Sequence, residues 1–361
     1  MATQVATFAT HVPAPVNFVL MKGLLQAARK KLPYFNGTLP GQLDKNGGSA
    51  SVKWERINNL SAATTALGEF QGNSAFLFGR SLVTPTVSNV TKAMAKYGNA
   101  IQLTEEIDLF NVNTRAMKFM DTLGANAGES LNSLMFTEYQ NASLIRYCNN
   151  AVGGATNLSS VKFTVGLTDI KYAVNQLNVQ AAMPFTPLGS GSTNVGTLPI
   201  RSSYYGICHV DVEEDIRSLT GFTSVEQYAG YTETMPFEFG SVGGVRWAST
   251  QVSTIASSAG KLTAVGMRGA SNILNDVYDT FIYGKEAIGT VGLGNMHASN
   301  SYEMYNPKTP PAVELIFKPL GSAGAGDPYN EIASLAWKAF FGAKILNTNW
   351  VVKLRSTSAK V

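Results

Sequence analysis

Two hydrophobic periods organise the chain. From Asn113 onward Ala116, Met120, Leu123, Ala127, Leu131, Leu134 and Met135 recur at three- and four-residue steps. This predicts a helix of roughly thirty residues, about 45 Å long, capped by Asn113 or Thr114 and running toward Tyr147. Gly124 and Gly128 weaken it by about 1 kcal/mol each relative to Ala, so their presence implies close packing by another element. Immediately upstream the period is two. Ile101, Leu103, Glu105, Ile107 and Leu109 alternate with Gln102, Thr104, Glu106 and Asp108, which predicts a strand. With SVKWERIN at 51–58 it reads as a two-stranded excursion around a long polar centre rich in Gly, Asn and Pro. An isolated hairpin is marginal in water, so such an excursion calls for packing from a neighbouring chain.

The remaining elements are short. LTDIKYAVNQLN (167–178) reads as a helix capped by Thr168, and YYGICHV (204–210) as a buried strand leading into a helix that opens with Asp211, Glu213, Glu214 and Asp215. VRWASTQV, DTFIYG, AVELIFKPL and NWVVKLRS read as strands, and SLAWKAFFGAKIL (334–346) as a helix. No βαβ rhythm or fixed repeat appears, so the class is α+β. The first fifty residues read as an arm without a core. VNFVLMKGLLQAARKK (16–31) suits a short amphipathic helix ending in Arg29, Lys30 and Lys31, and PYFNGTLPGQLDKNGGSA is too rich in breakers to hold regular structure.

Composition sharpens this picture. Only 14% of the residues are charged against 45% apolar, where soluble globular chains carry roughly 25% charge. A surface so poor in charge fits a protein that buries much of itself against other subunits. Charge is also segregated. Residues 1–60 hold seven basic side chains against two acidic, residues 332–361 hold five basic and none acidic, and residues 200–240 hold two basic against seven acidic. That polarity fits one face toward a polyanion, and it fits ordinary solvated charge equally well. Cys148 and Cys208 form no metal or disulfide motif, which favours a reducing compartment, and neither a secretion signal nor a long apolar span is found.

Chemistry is sparse. The chain lacks a P-loop, an HExxH and a GxSxG elbow, and GTVGLG and GSAGAG miss the dinucleotide spacing. Its histidines, His11, His209 and His297, stand apart. His209, Asp211, Glu213, Glu214 and Asp215 are dense enough to consider a metal, but with no second His a strand end followed by an acidic helix start is the favoured reading. Glu105, Glu106 and Asp108 fall on opposite strand faces, against a paired acid and base. Trp54, Phe70, Phe76 and Phe78, near Lys53, Arg56 and Arg80, suit subunit contacts better than base stacking. No catalytic residue, cofactor or metal is expected.

The segments YGNAIQLTEEIDL, DTLGANAGESLNSL, HVDVEEDIRSLTGFTSVEQYA, FGSVGGVRW, DVYDTFIYGKEAIGTVGL and DPYNEIASLAWKAFFGAKILNTNWVVKL, in this order across residues 50–361, resemble the major capsid proteins of tailed bacteriophages, in the branch typified by podovirus N-four. The resemblance implies the Hong Kong 97-like capsid fold. Its expected parts are an N-terminal arm (1–50), an E-loop (51–112), a P domain with its spine helix (113–159), an A domain (160–275) and returning P-domain strands and helix (276–361). The implied function is that of a structural subunit of an icosahedral head, assembling into hexamers and pentamers around double-stranded DNA. The implied location is the virion, with assembly in the host bacterial cytoplasm. Arg29, Lys30 and Lys31 would face the genome, and Trp54, Arg56, Phe76 and Phe78 would make E-loop contacts between subunits. A fused scaffolding segment is not expected before the spine helix, which leaves a separate scaffold protein or none, with portal and decoration proteins as further candidate partners. Lys53, Lys92 and Lys96 lie near the E-loop without a recognisable cross-linking motif, so non-covalent shells are expected. An encapsulin-like compartment is the alternative with the same fold, and an enzyme using the His209 cluster the alternative outside it.

Overall fold

A computed structural model of the chain describes residues 32–43, 49–57, 60, 62, 64, 85–105, 115–148, 156–185, 202–227, 235, 237–261, 267–269, 274–293, 313–318, 320–322 and 327–359. Its organising element is helix α1 (Arg115–Tyr139), whose Met120, Leu123, Ala127, Leu131 and Met135 are buried as their spacing predicts. Gly124 and Gly128 are buried as well. The helix stops before the expected end at Tyr147. Gln140 N donates to the Phe136 carbonyl and Asn141 N to that of Glu138, after which Leu144–Tyr147 becomes strand β5. Strand pairing takes that segment from the helix: β5 runs parallel to Val351–Ser356 and exchanges hydrogen bonds with it.

A five-stranded sheet packs against α1. It is built on the long strand Ile332–Ile345, with Ala95–Thr104 antiparallel on one side. Val313–Lys318 and Ile288–Leu293 line the other side, and Leu39–Leu43 lies parallel beyond the latter. In chain order these are β1 (Leu39–Leu43), β4 (Ala95–Thr104), β12 (Ile288–Leu293), β13 (Val313–Lys318) and β14 (Ile332–Ile345). Residues 334–346, expected to be a helix, are therefore mostly strand. Leu335, Trp337, Ala339, Phe341, Ala343 and Ile345 alternate into the core, and α1 meets that strand through Asn126 Oδ1, which accepts from Trp337 Nε1 at 3.1 Å. Glu138 Oε1 accepts from the Ile345 backbone N–H at 3.2 Å.

An eight-stranded sheet forms the second body of the fold, in the order β5, β15 (Val351–Ser356), β11 (Val277–Tyr283), β6 (Tyr204–His209), β9 (Val245–Thr250), β8 (Glu238–Val242) and β7 (Thr223–Ser224), with β10 (Ile255–Ala256) also on β11. Helices α2 (Leu167–Val179) and α3 (Val210–Arg217) cover its core. The N-cap of α2 is Gly166, so Thr168 lies inside the first turn and not at the cap. The boundary expected near residue 275 does not follow the sheets, because β11 and β15 join the strands of residues 204–256 and leave only β12, β13 and β14 to return to the sheet under α1.

The arm also departs from expectation. Residues 1–31, including the expected helix 16–31, lie outside the described residues, but Pro33–Phe35 form a buried helical turn in the core. Tyr34 is 1% exposed. Its ring meets Phe136, Tyr139 and Phe281 at centroid distances of 5.7, 5.2 and 6.3 Å. Its N–H donates to Asn132 Oδ1 at 3.3 Å, its Oη to the Val252 carbonyl at 3.0 Å, and its own carbonyl accepts from Tyr139 Oη at 3.2 Å. Asn36 follows, its Nδ2 donating to Tyr205 Oη at 2.6 Å and its carbonyl accepting from Tyr283 Oη at 3.0 Å. Desolvation pushes the Tyr34 and Tyr283 phenols well above their ordinary values, so both remain neutral donors. The arm root is thus a plug joining α1 to the eight-stranded sheet. Tyr34→Phe keeps the ring and removes the bond to Val252, so urea unfolding should show a loss of about 1 kcal/mol; no loss at all would show that bond to be idle.

Candidate functional site

The surface most unlike a finished monomer is a two-stranded hairpin, β2 (Ser51–Ile57) with β3 (Val87–Ala93). Its register runs from Ser51 opposite Ala93 to Ile57 opposite Val87. The second strand is therefore not the expected 99–109 segment. That segment pairs as β4 with β14, and within it Ile101 and Leu103 are half-buried while Gln102 and Thr104 are exposed. Glu105 N donates to the Glu331 carbonyl at 2.8 Å, and Glu106 and Asp108 lie outside the described residues.

At the root of the hairpin, Val52, Trp54, Val90 and Lys92 turn toward the body of the chain and are half-buried. Trp54 lies over Gly41 of β1 and Gly289 of β12. A Cβ on Gly289 would stand 2.8 Å from the indole, so the ring fits only because those positions carry none. Trp54, expected to contact another subunit, also fastens the hairpin within the chain. The other face carries the ion pair Lys53–Glu55 at 3.0 Å, and farther out the cross-strand pair Ile57 and Val87 is 67% and 49% exposed. Leu60 follows at 55%. Arg56 is exposed beside Ile57, and Phe76 and Phe78 lie outside the described residues. The outward end of the hairpin therefore presents branched apolar side chains that stay about half exposed or more.

The acidic cluster is used structurally. His209 caps α3, its Nδ1 accepting from the Asp211 N–H at 3.1 Å. Asp211 pairs with Arg268 and accepts from Tyr278 Oη at 3.0 Å. Its carbonyl accepts from Ser358 Oγ at 2.6 Å, and Asp215 Oδ2 accepts from the Ala359 N–H at 3.2 Å. Burial pushes the Asp215 carboxyl up, and the bond from Ala359 opposes this. The cluster is a latch for the last described residues. Among the described residues, no three His, Cys, Asp or Glu side chains are grouped to hold a metal ion.

Burial also lowers the His209 pKa, with Asp211 opposing and Arg268 reinforcing the shift. Its ordinary value is about 6.5, so below that pH the unfolded chain takes up the proton more readily than the folded one and stability falls. Protonation also removes the acceptor that caps α3. The unfolding midpoint should therefore drop as pH falls from about 7 to 5, and His209→Gln should flatten that slope; an unchanged slope would remove His209 as its source.

The charge blocks also resolve into contacts. Of the C-terminal basic residues, Lys344 pairs with Glu138, Arg355 with Asp279, and Lys353 Nζ donates to the Gln140 carbonyl. Glu213 and Glu238 in the acidic block meet Arg217 and Arg246. Arg29, Lys30 and Lys31 lie outside the described residues. Sequence reasoning missed the plug residues Tyr34, Tyr139, Tyr205 and Tyr283; the aromatic pair Tyr34–Phe35 inside a breaker-rich stretch was the available signal.

Among the described residues no helix is long and apolar enough to cross a membrane. No protein-family model and no curated protein matches the sequence. Solved structures do match. The capsid of Ralstonia phage GP4 is similar with a TM-score of 0.59 at 12% identity, over 92% of each chain. The head of Helicobacter pylori bacteriophage KHP40 matches at 0.53 and 11%, over 90% of this chain and 92% of that one. The acid-stable capsid of Helicobacter pylori bacteriophage KHP30 matches at 0.51 and 11%, over 91% of each. A long helix on a five-stranded sheet, an eight-stranded second body and a projecting hairpin, matched over nine-tenths of the chain, give this protein the Hong Kong 97-like fold of phage capsid subunits.

Proposed function

We propose that this chain is the structural subunit of an icosahedral phage head, closing around double-stranded DNA as hexamers and pentamers and carrying out no catalysis. The observation that carries this reading is the hairpin, whose outer end exposes Ile57, Val87 and Leu60 on a chain with the fold of shell proteins. In this reading β2 and β3 belong to the E-loop, α1 and the five-stranded sheet to the P domain, and the eight-stranded sheet to the A domain around the capsomer axis. Apolar patches left open on a subunit mark where another molecule sits. A hairpin whose described contacts with its own body lie at the root gains its remaining packing from the adjacent copy.

Each such contact can be weak. A subunit held at several places at once gains through effective concentration, and closed symmetry repeats the gain at every copy. Genome contact falls to Arg29, Lys30 and Lys31, whose charge would offset phosphate non-specifically, because most basic residues near the C-terminus are engaged within the chain. Separate scaffold, portal and decoration proteins complete the set of partners, with assembly in the host bacterial cytoplasm.

Electron microscopy of the purified protein tests the proposal. Closed icosahedral shells are expected, and particles from infected cells should hold nuclease-protected DNA. A monodisperse monomer at every concentration and salt condition would end the proposal, and shells filled with a protein cargo instead of DNA would turn it into an encapsulin-like compartment.

A further inference from the structure

Lys353 and Asp279 are buried charged residues, 3% and 7% exposed. Lys353 of β15 stands opposite Phe281 of β11, whose ring meets Tyr139 at the end of α1 with centroids 5.5 Å apart. Gln140 follows Tyr139 and is half-buried. Hydrogen bonds join the three polar side chains in a row. Lys353 Nζ donates to the Gln140 carbonyl at 2.9 Å and to its side-chain Oε1 at 3.3 Å. Gln140 Nε2 donates in turn to Asp279 Oδ2 at 2.8 Å, and Asp279 Oδ1 accepts from Arg355 Nε at 3.0 Å. Burial lowers the Lys353 pKa, with Asp279 opposing and Arg355 reinforcing the shift. An amine, a carboxamide and a carboxylate are thus held in contact where little water reaches them.

We propose that Lys353 and Gln140 join through an amide bond within the chain, a self-modification that each molecule undergoes once. The neutral amine of Lys353 attacks Gln140 Cδ with its lone pair, and the Nζ–Cδ bond forms. Nζ already touches the carboxamide, so rotation about the Gln140 side-chain bonds is the motion that presents Cδ to it. Desolvation supplies the neutral, nucleophilic form of the lysine. Asp279 Oδ2 takes the proton that Nζ sheds and delivers it to Nε2, its present hydrogen-bond partner. The Cδ–Nε2 bond then breaks and ammonia leaves. One amide replaces another, so nothing is oxidised or reduced and no co-reactant is consumed. Arg355 holds the carboxylate in place from its other oxygen. The product ties the end of α1 to the eight-stranded sheet by a covalent link between residues 213 positions apart. The inference rests on the fold and not on the shell reading: the bond lies inside one subunit and links no two copies.

Mass spectrometry of the denatured full-length protein tests this without any substitution. The polypeptide should be lighter than its sequence by one ammonia, and a protease digest should contain a branched peptide joining residues 140 and 353. Assembled and unassembled protein should both carry it, so the result is independent of whether shells form. Lys353→Met should keep the ammonia. Asp279→Asn should slow bond formation by at least about a hundredfold in freshly purified protein, the effect of losing a positioned proton carrier. The wild-type digest decides the proposal even if either variant folds poorly. An intact mass equal to the sequence, or residues 140 and 353 recovered only in separate linear peptides, would overturn it. So would an ammonia loss that persists in Lys353→Met and maps to a cyclic imide at an Asn-Gly step such as Asn36–Gly37. A bond that forms equally fast in Asp279→Asn would overturn the role given to the carboxylate.

Discussion

Glu238→Leu should destabilise the unassembled subunit by about 3–5 kcal/mol, and adding Arg246→Met should restore most of that loss. The pair is buried completely, Arg246 1% and Glu238 0% exposed at the side chain, with Nε to Oε1 at 2.8 Å and Nη2 to Oε2 at 2.6 Å. Glu238 Oε2 also accepts the Met235 N–H at 3.0 Å. Removing the carboxylate takes away the bidentate partner of a guanidinium enclosed by protein. Removing both charges leaves an apolar site that burial can stabilise. Glu213 and Arg217 meet at the same 2.6 Å, but their side chains are 21% and 37% exposed. Water already screens that pair, so Glu213→Gln should change stability by less than about 1 kcal/mol. Urea unfolding of the four proteins side by side decides the matter, and a single-site loss below that of Glu213→Gln would refute the assignment.

The same comparison between contact and surroundings explains what the sequence made legible. The body of α1 could be read because Met120, Leu123, Ala127, Leu131 and Met135 share one face, and helical period and burial agree there. β6 followed by α3 was readable for a related reason: an apolar run with strand formers gives way to acids that suit a helix start. Residues 334–346 were ambiguous. Leu335, Ala339 and Ala343 lie four apart, as in a helix, while Leu335, Trp337, Ala339, Phe341, Ala343 and Ile345 lie two apart, as in a strand. Ala and Lys content tilted local preference toward helix, and pairing with β4, β12 and β13 overruled it. No local pattern reports such partners from elsewhere in the chain.

The candidate site divides in the same way. That the hairpin exists and lacks packing could be inferred from alternation in SVKWERI and the polar stretch after it. Its partner strand could not, because VSNVTKA carries few apolar residues and takes its place by register with β2 and contact with β14, both distant in sequence. Trp54 looked like an interface residue because nothing in the sequence announces that Gly41 and Gly289 leave space beneath its ring. Tyr34 looked like part of a free arm for a parallel reason. It sits in a breaker-rich stretch of sequence, and its neighbours in space come from residues 132 to 281.

Ile57→Asp combined with Val87→Asp should abolish shells while leaving the subunit folded. Both side chains are exposed at the outer end of β2 and β3 and face each other across the register. Charging them removes almost no packing inside the chain, and exposed positions of this kind usually shift stability by no more than about 0.5 kcal/mol, with some further loss from placing like charges opposite one another. At an interface the effect is of another size. Two carboxylates pressed against a neighbour without counter-charges cost several kcal/mol in desolvation, and symmetry imposes that cost on every copy. Trp54→Ala makes the opposite expectation. It empties the space above Gly41 and Gly289 and should lower the stability of the isolated subunit by about 2–4 kcal/mol, less than a fully buried Trp because the ring is only half-covered. Sedimentation velocity and electron microscopy read assembly, and urea unfolding of the unassembled protein reads folding. Shells at normal yield from the doubly charged variant would show that the hairpin's outer end touches nothing in the particle, and the shell mechanism proposed for this surface would fail with it.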